Sequence, residues 1–120
     1  MKEIKFRAQN SKTKAWNYFS LQDLVGAITP KLGNGFHFYN WCEYSGLKDK
    51  NQKEIYEGDL VQVADWQLGF NNRGQFKIRE VVFEKGAFTL KGHEDWRLYI
   101  YPDPEIIGNV YENPELLKSS

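Results

Sequence analysis

Hydrophobic and polar positions alternate from the start of the chain. In residues 3–8, Ile4, Phe6 and Ala8 fall on one side and Lys5 and Arg7 on the other. That period of two is the mark of a half-buried strand. A polar stretch follows at 10–14, and residues 15–19 (Ala-Trp-Asn-Tyr-Phe) return to strand-forming residues, so 3–19 reads as a hairpin. At Ser20 the rhythm changes. Leu21, Leu24, Val25 and Ile28 recur at the spacing of one helix face, with Ser20 as N-cap and Asp23 as the acid of the first turn. Gly26 weakens that helix by about 1 kcal/mol relative to Ala. Pro30 sets its far limit.

Strand patterning returns after the turn at 33–35 and runs from Phe36 to Tyr44, with four aromatic residues between Phe36 and Trp41. Residues 49–52 (Asp-Lys-Asn-Gln) have the chemistry of a tight turn. Ile55 and Tyr56 read as short extended residues, and Leu60–Val63 as a strand. A loop is expected over 65–74. Phe76 and Ile78 then share one phase, and Val81 and Phe83 the opposite one. That flip predicts a β-bulge near Arg79 and Glu80. Lys85-Gly86 makes a turn, and Phe88 and Leu90 face inward on the next strand. Trp96, Leu98 and Ile100 share one side of another strand, Pro102 and Pro104 end it, and 106–111 forms a last one. From residue 59 onward the reading is five short strands in a meander.

The pattern predicts one mainly β domain over 1–120. A hairpin, a short helix and a strand (1–45) pack on a curled antiparallel sheet (46–117). The Gly-Asp-x-Val-x-Val opening followed by paired strands resembles a small SH3-like barrel, which implies fold only. Composition agrees: 16% of residues are aromatic, a bias toward pleated surfaces. The chain is long enough to bury a core without staples.

Net charge is zero, so no global field draws the chain to nucleic acid or anionic lipid. The distribution is uneven. Residues 1–50 carry 8 basic and 4 acidic groups, and 51–120 carry 8 and 12, giving +4 and −4. That asymmetry is either drift or the basis of head-to-tail self-association. Cys42 is the only cysteine, so an intrachain disulfide and a cysteine-based zinc site are both excluded. No apolar run has the length of a signal or a membrane span, and a cytoplasmic setting is expected.

Glu57 and Asp59 flank Gly58, and on a strand they would share a side. Such a pair could do acid–base work or hold a divalent ion. The structural reading, preferred here, has Asp59 bonding the backbone of its own turn with Glu57 solvated. His37 and His93 are isolated, and no nucleophile elbow, phosphate loop or dinucleotide fingerprint occurs. The expectation is therefore a chain without catalytic, metal-binding or cofactor-binding residues. Exposed rings offer more. Trp66, Arg97, Tyr99 and Tyr101 are candidates for an interaction surface. They suit a protein partner or, alternatively, nucleic acid, for which Lys2, Lys5, Arg7, Lys12 and Lys14 would supply a basic stripe.

Three segments, "EIKFRA" from Glu3, "YSGLKDKNQKEIYEGDLV" from Tyr44 and "IIGNVYENPELL" ending at Leu117, together resemble the YopX family of bacterial and prophage-encoded proteins. Gln9 stands where that family's pattern has a tryptophan, and Gln52 where a glycine is common. The resemblance implies a small cytoplasmic protein of mobile elements with no assigned activity. It also implies oligomeric assembly, while the exposed rings suit a protein partner from phage or host.

Overall fold

The computed structural model describes residues 3–25, 37–64, 76–98 and 103–119. The chain is mainly β, as its alternation predicts. Strand β1 (Lys5–Asn10) pairs antiparallel with β2 (Trp16–Ser20), Phe6 opposite Phe19. The turn between them is closed by Asn10, whose side-chain oxygen accepts from the Lys12 and Thr13 amides at 2.8 and 3.0 Å. Helix α1 (Leu21–Val25) begins with a reciprocal cap. The Ser20 amide donates to Asp23, and the Asp23 amide donates to the Ser20 hydroxyl. The expected continuation to Ile28, the turn at 33–35 and the loop at 65–74 lie outside the described residues.

Strand β3 (Phe38–Lys48) pairs with β1 through its first half and with β4 (Glu54–Tyr56) through its second, which gives a four-stranded sheet of order β2-β1-β3-β4. One extra residue sits on β3 opposite β1, because Arg7 faces Cys42 while Gln9 faces Tyr39. Asn40 absorbs it with φ 56° and donates to the Gln9 side chain at 2.8 Å. This bulge turns Phe38 and Trp41 to one side, where both rings meet Phe19 at 5.2 and 5.3 Å between centroids.

The second sheet contains β5 (Asp59–Ala64), β6 (Phe76–Glu84), β7 (Ala87–Leu90), β8 (His93–Arg97) and β9 (Glu105–Asn109) in the order β8-β7-β6-β5-β9. Two details differ from the sequence reading. No register shift occurs near Arg79 and Glu80. Instead β6 changes partner there, with Glu80 opposite Leu60 on β5 and Val81 opposite Leu90 on β7. The phase flip marks a corner in the curled sheet rather than an inserted residue. The strands are also not a simple meander, because β9 crosses to the far edge and pairs with β5. It ends at Asn109, since the Asn109 side chain accepts from the Tyr111 and Glu112 amides and bends 110–112 into a turn. The terminal 3₁₀ segment Pro114–Ser119 follows.

One core cluster comprises Ile55, Val61, Val63, Val81, Leu90 and Leu98, and a smaller one Cys42, Tyr44 and Tyr56. The three-residue strand β4 feeds both, Ile55 to the first and Tyr56 to the second. The first sheet thus runs through Tyr56 and the second starts at Asp59. No described helix is long and apolar enough to cross a membrane.

The turn between β3 and β4 is held by Asp49, which is 2% exposed. Its Oδ1 accepts from the Asn51 and Lys53 amides at 2.8 and 2.9 Å, and its Oδ2 accepts from the Ile106 amide of β9 at 3.1 Å. Burial pushes its carboxyl pKa up, but the amides of Ile106, Lys53 and Asn51 outweigh burial and hold it below the ordinary value. A depressed carboxyl contributes stability above its unfolded pKa of about 3.9 and loses it as pH falls through the folded value. Asp49→Asn leaves part of this amide set without an acceptor. It should cost about 1–3 kcal/mol in urea unfolding at neutral pH, with the gap to the parent chain narrowing below about pH 4.

Gln52 and Gly58 both adopt positive φ, 67° and 89°. A Cβ at Gly58 would stand 3.0 Å from Tyr111 Cε2, whereas Gln52 is exposed. Gly58→Ala should therefore destabilise by at least about 1–2 kcal/mol, and Gln52→Gly should raise stability by up to about 1 kcal/mol. Thermal melts of the two variants check the opposite signs.

Candidate functional site

The two sheets meet at a buried charge pair. Arg7 lies on the β1 face turned toward the second sheet, and its Nη2 donates to Asp59 Oδ1 at 2.7 Å. The Arg7 side chain is 8% exposed and that of Asp59 2%. Asp59 Oδ2 accepts from the Tyr56 amide at 2.8 Å, so both carboxylate oxygens are engaged. The guanidinium lies over two rings, 4.5 Å from the Trp16 centroid and 4.9 Å from that of Tyr56. Its Nε is buried and has no hydrogen-bond partner. Burial opposes the charge on Arg7, yet the carboxylate of Asp59 outweighs it and the pKa moves up. Burial likewise raises the Asp59 carboxyl, against the pull of Arg7 and the Tyr56 amide.

Gly58 makes this approach possible. Its amide donates to the Val81 carbonyl at 2.8 Å and its carbonyl accepts from the Val110 amide at 2.9 Å. Cys42 and Tyr111 close over it, with the thiol and the phenol 3.8 Å apart. Burial raises the pKa of Cys42 and pushes that of Tyr111 to about 12. Trp16 packs against Tyr111 with the rings tilted, 5.8 Å between centroids, and donates from Nε1 to Glu112 at 3.0 Å, a second tie between the sheets.

Beside this node opens a cleft of about 450 Å³, lined by Arg7, Tyr18, Lys53, Glu54, Tyr56, Asp59 and Ile106. Lys5 donates to Glu54 Oε2 at 2.5 Å, and the Tyr56 hydroxyl donates to Glu54 Oε1 at 3.1 Å. Burial and then Glu54 drive the Tyr56 phenol far above its ordinary pKa. Tyr18 stands edge-on to Tyr56 at 5.7 Å with half its surface open.

Of the residues singled out from sequence, Glu57 is half-buried and its amide donates to the Glu43 carbonyl at 2.9 Å. Asp59 turns inward to Arg7. Trp66, Tyr99 and Tyr101 lie outside the described residues, and of Arg97 the described part is its backbone on β8, opposite Thr89. The basic stripe is broken up, with Arg7 buried and Lys5 tied to Glu3 and Glu54. Among the described residues no three His, Cys, Asp or Glu side chains gather where they could hold a metal ion. Sequence reasoning put Arg7 in an exposed basic stripe, because an alternating strand places it on the solvent side, and gave Tyr56 no role beyond a short extended segment. The one available signal was the acid at the end of "YEGD", which needs a cation once buried.

The family described as YopX protein matches residues 1–118 of this 120-residue chain. The chain belongs to the YopX family. This YopX chain is also similar to a solved structure described as protein EF1440 from Enterococcus faecalis. The TM-score is 0.61 and the identity 21%, over 98% of this chain and 99% of the other. At that identity the likeness shows the fold. Among curated proteins none matches this YopX chain.

Removing one partner of a buried ion pair strands the other. Arg7→Met should destabilise this YopX chain by about 3–5 kcal/mol. Adding Asp59→Asn removes the stranded charge and keeps an oxygen for the Tyr56 amide, so the double variant should recover part of that loss. Urea unfolding of both single variants and the double measures the coupling.

Proposed function

We propose that this YopX chain is a non-catalytic phage or prophage accessory protein that self-associates and docks a protein partner, from host or phage, by adding a strand to its first sheet. The observation that carries this reading is the outer edge of β2. That strand ends the four-stranded sheet, and no described strand pairs with its far side. Its sequence, Trp-Asn-Tyr-Phe-Ser, has no charge and no proline, the devices that ordinarily blunt an edge. Tyr18 adds an exposed ring there. Two other edges are less open. β4 is three residues long, and β9 is covered in part by Asp49, which accepts from Ile106, and by Asn113, which accepts from the Asn109 amide. An open, uncharged edge is the geometry that strand addition uses.

The opposite charges of the two halves of the sequence favour self-association over a uniform repulsion. The nucleic-acid reading has less behind it, because Lys5 and Arg7 are engaged internally and Lys14 donates to the Ser11 carbonyl.

Light scattering over a range of protein and salt concentrations should show a species larger than the monomer. Hydrogen exchange of that species should show added protection of β2 amides. A monomer at every concentration, or an assembly that leaves β2 amides unprotected, overturns the edge-pairing reading. Steeply salt-dependent binding to mixed DNA and RNA would favour the nucleic-acid reading instead.

A further inference from the structure

The free edge of β2 is complementary to itself. The Asn10 amide bonds the Ala15 carbonyl at 2.9 Å, and the β1–β2 register runs without a shift from Gln9 opposite Trp16 to Lys5 opposite Ser20. Hydrogen-bonded and non-hydrogen-bonded pairs alternate along an antiparallel ladder. Asn17 and Phe19 therefore bond β1, while Trp16, Tyr18 and Ser20 turn their amides and carbonyls outward. The Ser20 amide agrees with this phase, since it donates to Asp23 at 2.9 Å instead of to β1. Trp16 and Tyr18 meet no strand on the outward side among the described residues. The usable edge is short. Lys14, with φ 65°, lies in the turn before it, and α1 begins at Leu21.

An antiparallel second copy of this strand fits those limits in one register. Centred on Asn17, it sets Trp16 opposite Tyr18 of the other copy, so the outward amides and carbonyls of both residues face one another. Centring on Tyr18 sets Trp16 against Ser20, whose amide is taken by Asp23. Centring on Trp16 sets Tyr18 against Lys14 in the turn. The Asn17 register also brings Lys14 to the Ser20–Asp23 cap of the other copy, so unlike charges approach at both ends and no charge stands opposite its like. Building on strand addition at this edge, we infer that β2 pairs with β2 of a second copy across a two-fold axis at Asn17. The pairing joins two four-stranded sheets into one. It makes about four main-chain hydrogen bonds and a Trp–Tyr contact on each side of the axis, few for a stable interface, so the dimer dissociates on dilution. It closes at two copies, because each uses the same edge. The edge then holds either a second copy or a partner strand, and a partner must displace the copy.

Cross-linking of the full chain tests the register. At the axis the two Asn17 Cα atoms would stand about 4.5 Å apart, within disulfide reach. Asn17→Cys, oxidised mildly at concentrations where light scattering shows dimers, should become a covalent dimer on a non-reducing gel. The parent chain, whose Cys42 is buried, and Lys12→Cys, in the exposed β1–β2 turn away from the axis, should not. Hydrogen exchange of the parent dimer supplies a readout that does not depend on any variant folding. The Trp16 and Tyr18 amides should slow by about tenfold or more, and those of Asn17 and Phe19, already bonded to β1, far less. If Trp16 and Tyr18 are protected but folded Asn17→Cys does not cross-link, the two-fold register is overturned and strand addition by another segment stands. If an assembly leaves Trp16 and Tyr18 unprotected, or the chain is a monomer at every concentration, both are overturned.

Discussion

Two sheets are held in one body by a buried guanidinium–carboxylate pair, and much of the surrounding structure serves to make that pair tolerable. Charges this deep have lost most of their hydration, and their attraction repays the loss only with good geometry and further bonds. Here the further bonds are specific. The Tyr56 amide takes the second Asp59 oxygen, and the rings of Trp16 and Tyr56 lie against the cation. The pair adds little net stability over a hydrophobic contact of the same shape. What it adds is register. Only one placement of β5 against β1 leaves neither charge alone.

That placement is set locally by three residues of a four-residue step. Tyr56 ends β4, Gly58 turns with φ 89°, and Asp59 opens β5. The chain leaves one sheet and enters the other within this short step, and Ile55 and Tyr56 pack into different cores on the way. Asp49 makes a further, independent tie by reaching from the β3–β4 turn to the Ile106 amide. Both acids bind backbone amides, which cannot move without moving a strand, and with the Trp16–Glu112 bond the relation between the sheets is fixed at three places.

Sequence made the local features legible and left the long-range ones hidden. The β1–β2 hairpin, the Ser20–Asp23 cap and the turn at 49–52 depend on neighbours within a few residues, and their chemistry is written in place. Gln52, where the YopX pattern commonly has glycine, takes the left-handed angle with its side chain in solvent. By contrast, Arg7 and Asp59 are 52 residues apart. Alternation alone places Arg7 in water, because period two reports the two faces of a strand but not what covers each. The flip near Arg79 was visible as a change of phase. An inserted residue and a change of pairing partner produce the same pattern, and only the ladders distinguish them. The crossing of β9 to β5 left no local trace at all.

The carboxylates of "YEGD" show how such a node limits chemistry. A carboxylate that moves protons in a reaction needs an oxygen open to substrate or water. Both oxygens of Asp59 are committed, one to Arg7 and one to the Tyr56 amide, and Arg7 cannot release its proton to free them. Freeing Asp59 would break the tie between the sheets. What the node leaves over is a donor rather than an acceptor, the Arg7 Nε, which is buried without a hydrogen-bond partner. The same pair that closes Asp59 to proton transfer is what holds β5 to β1, so the carboxylate is spent on structure.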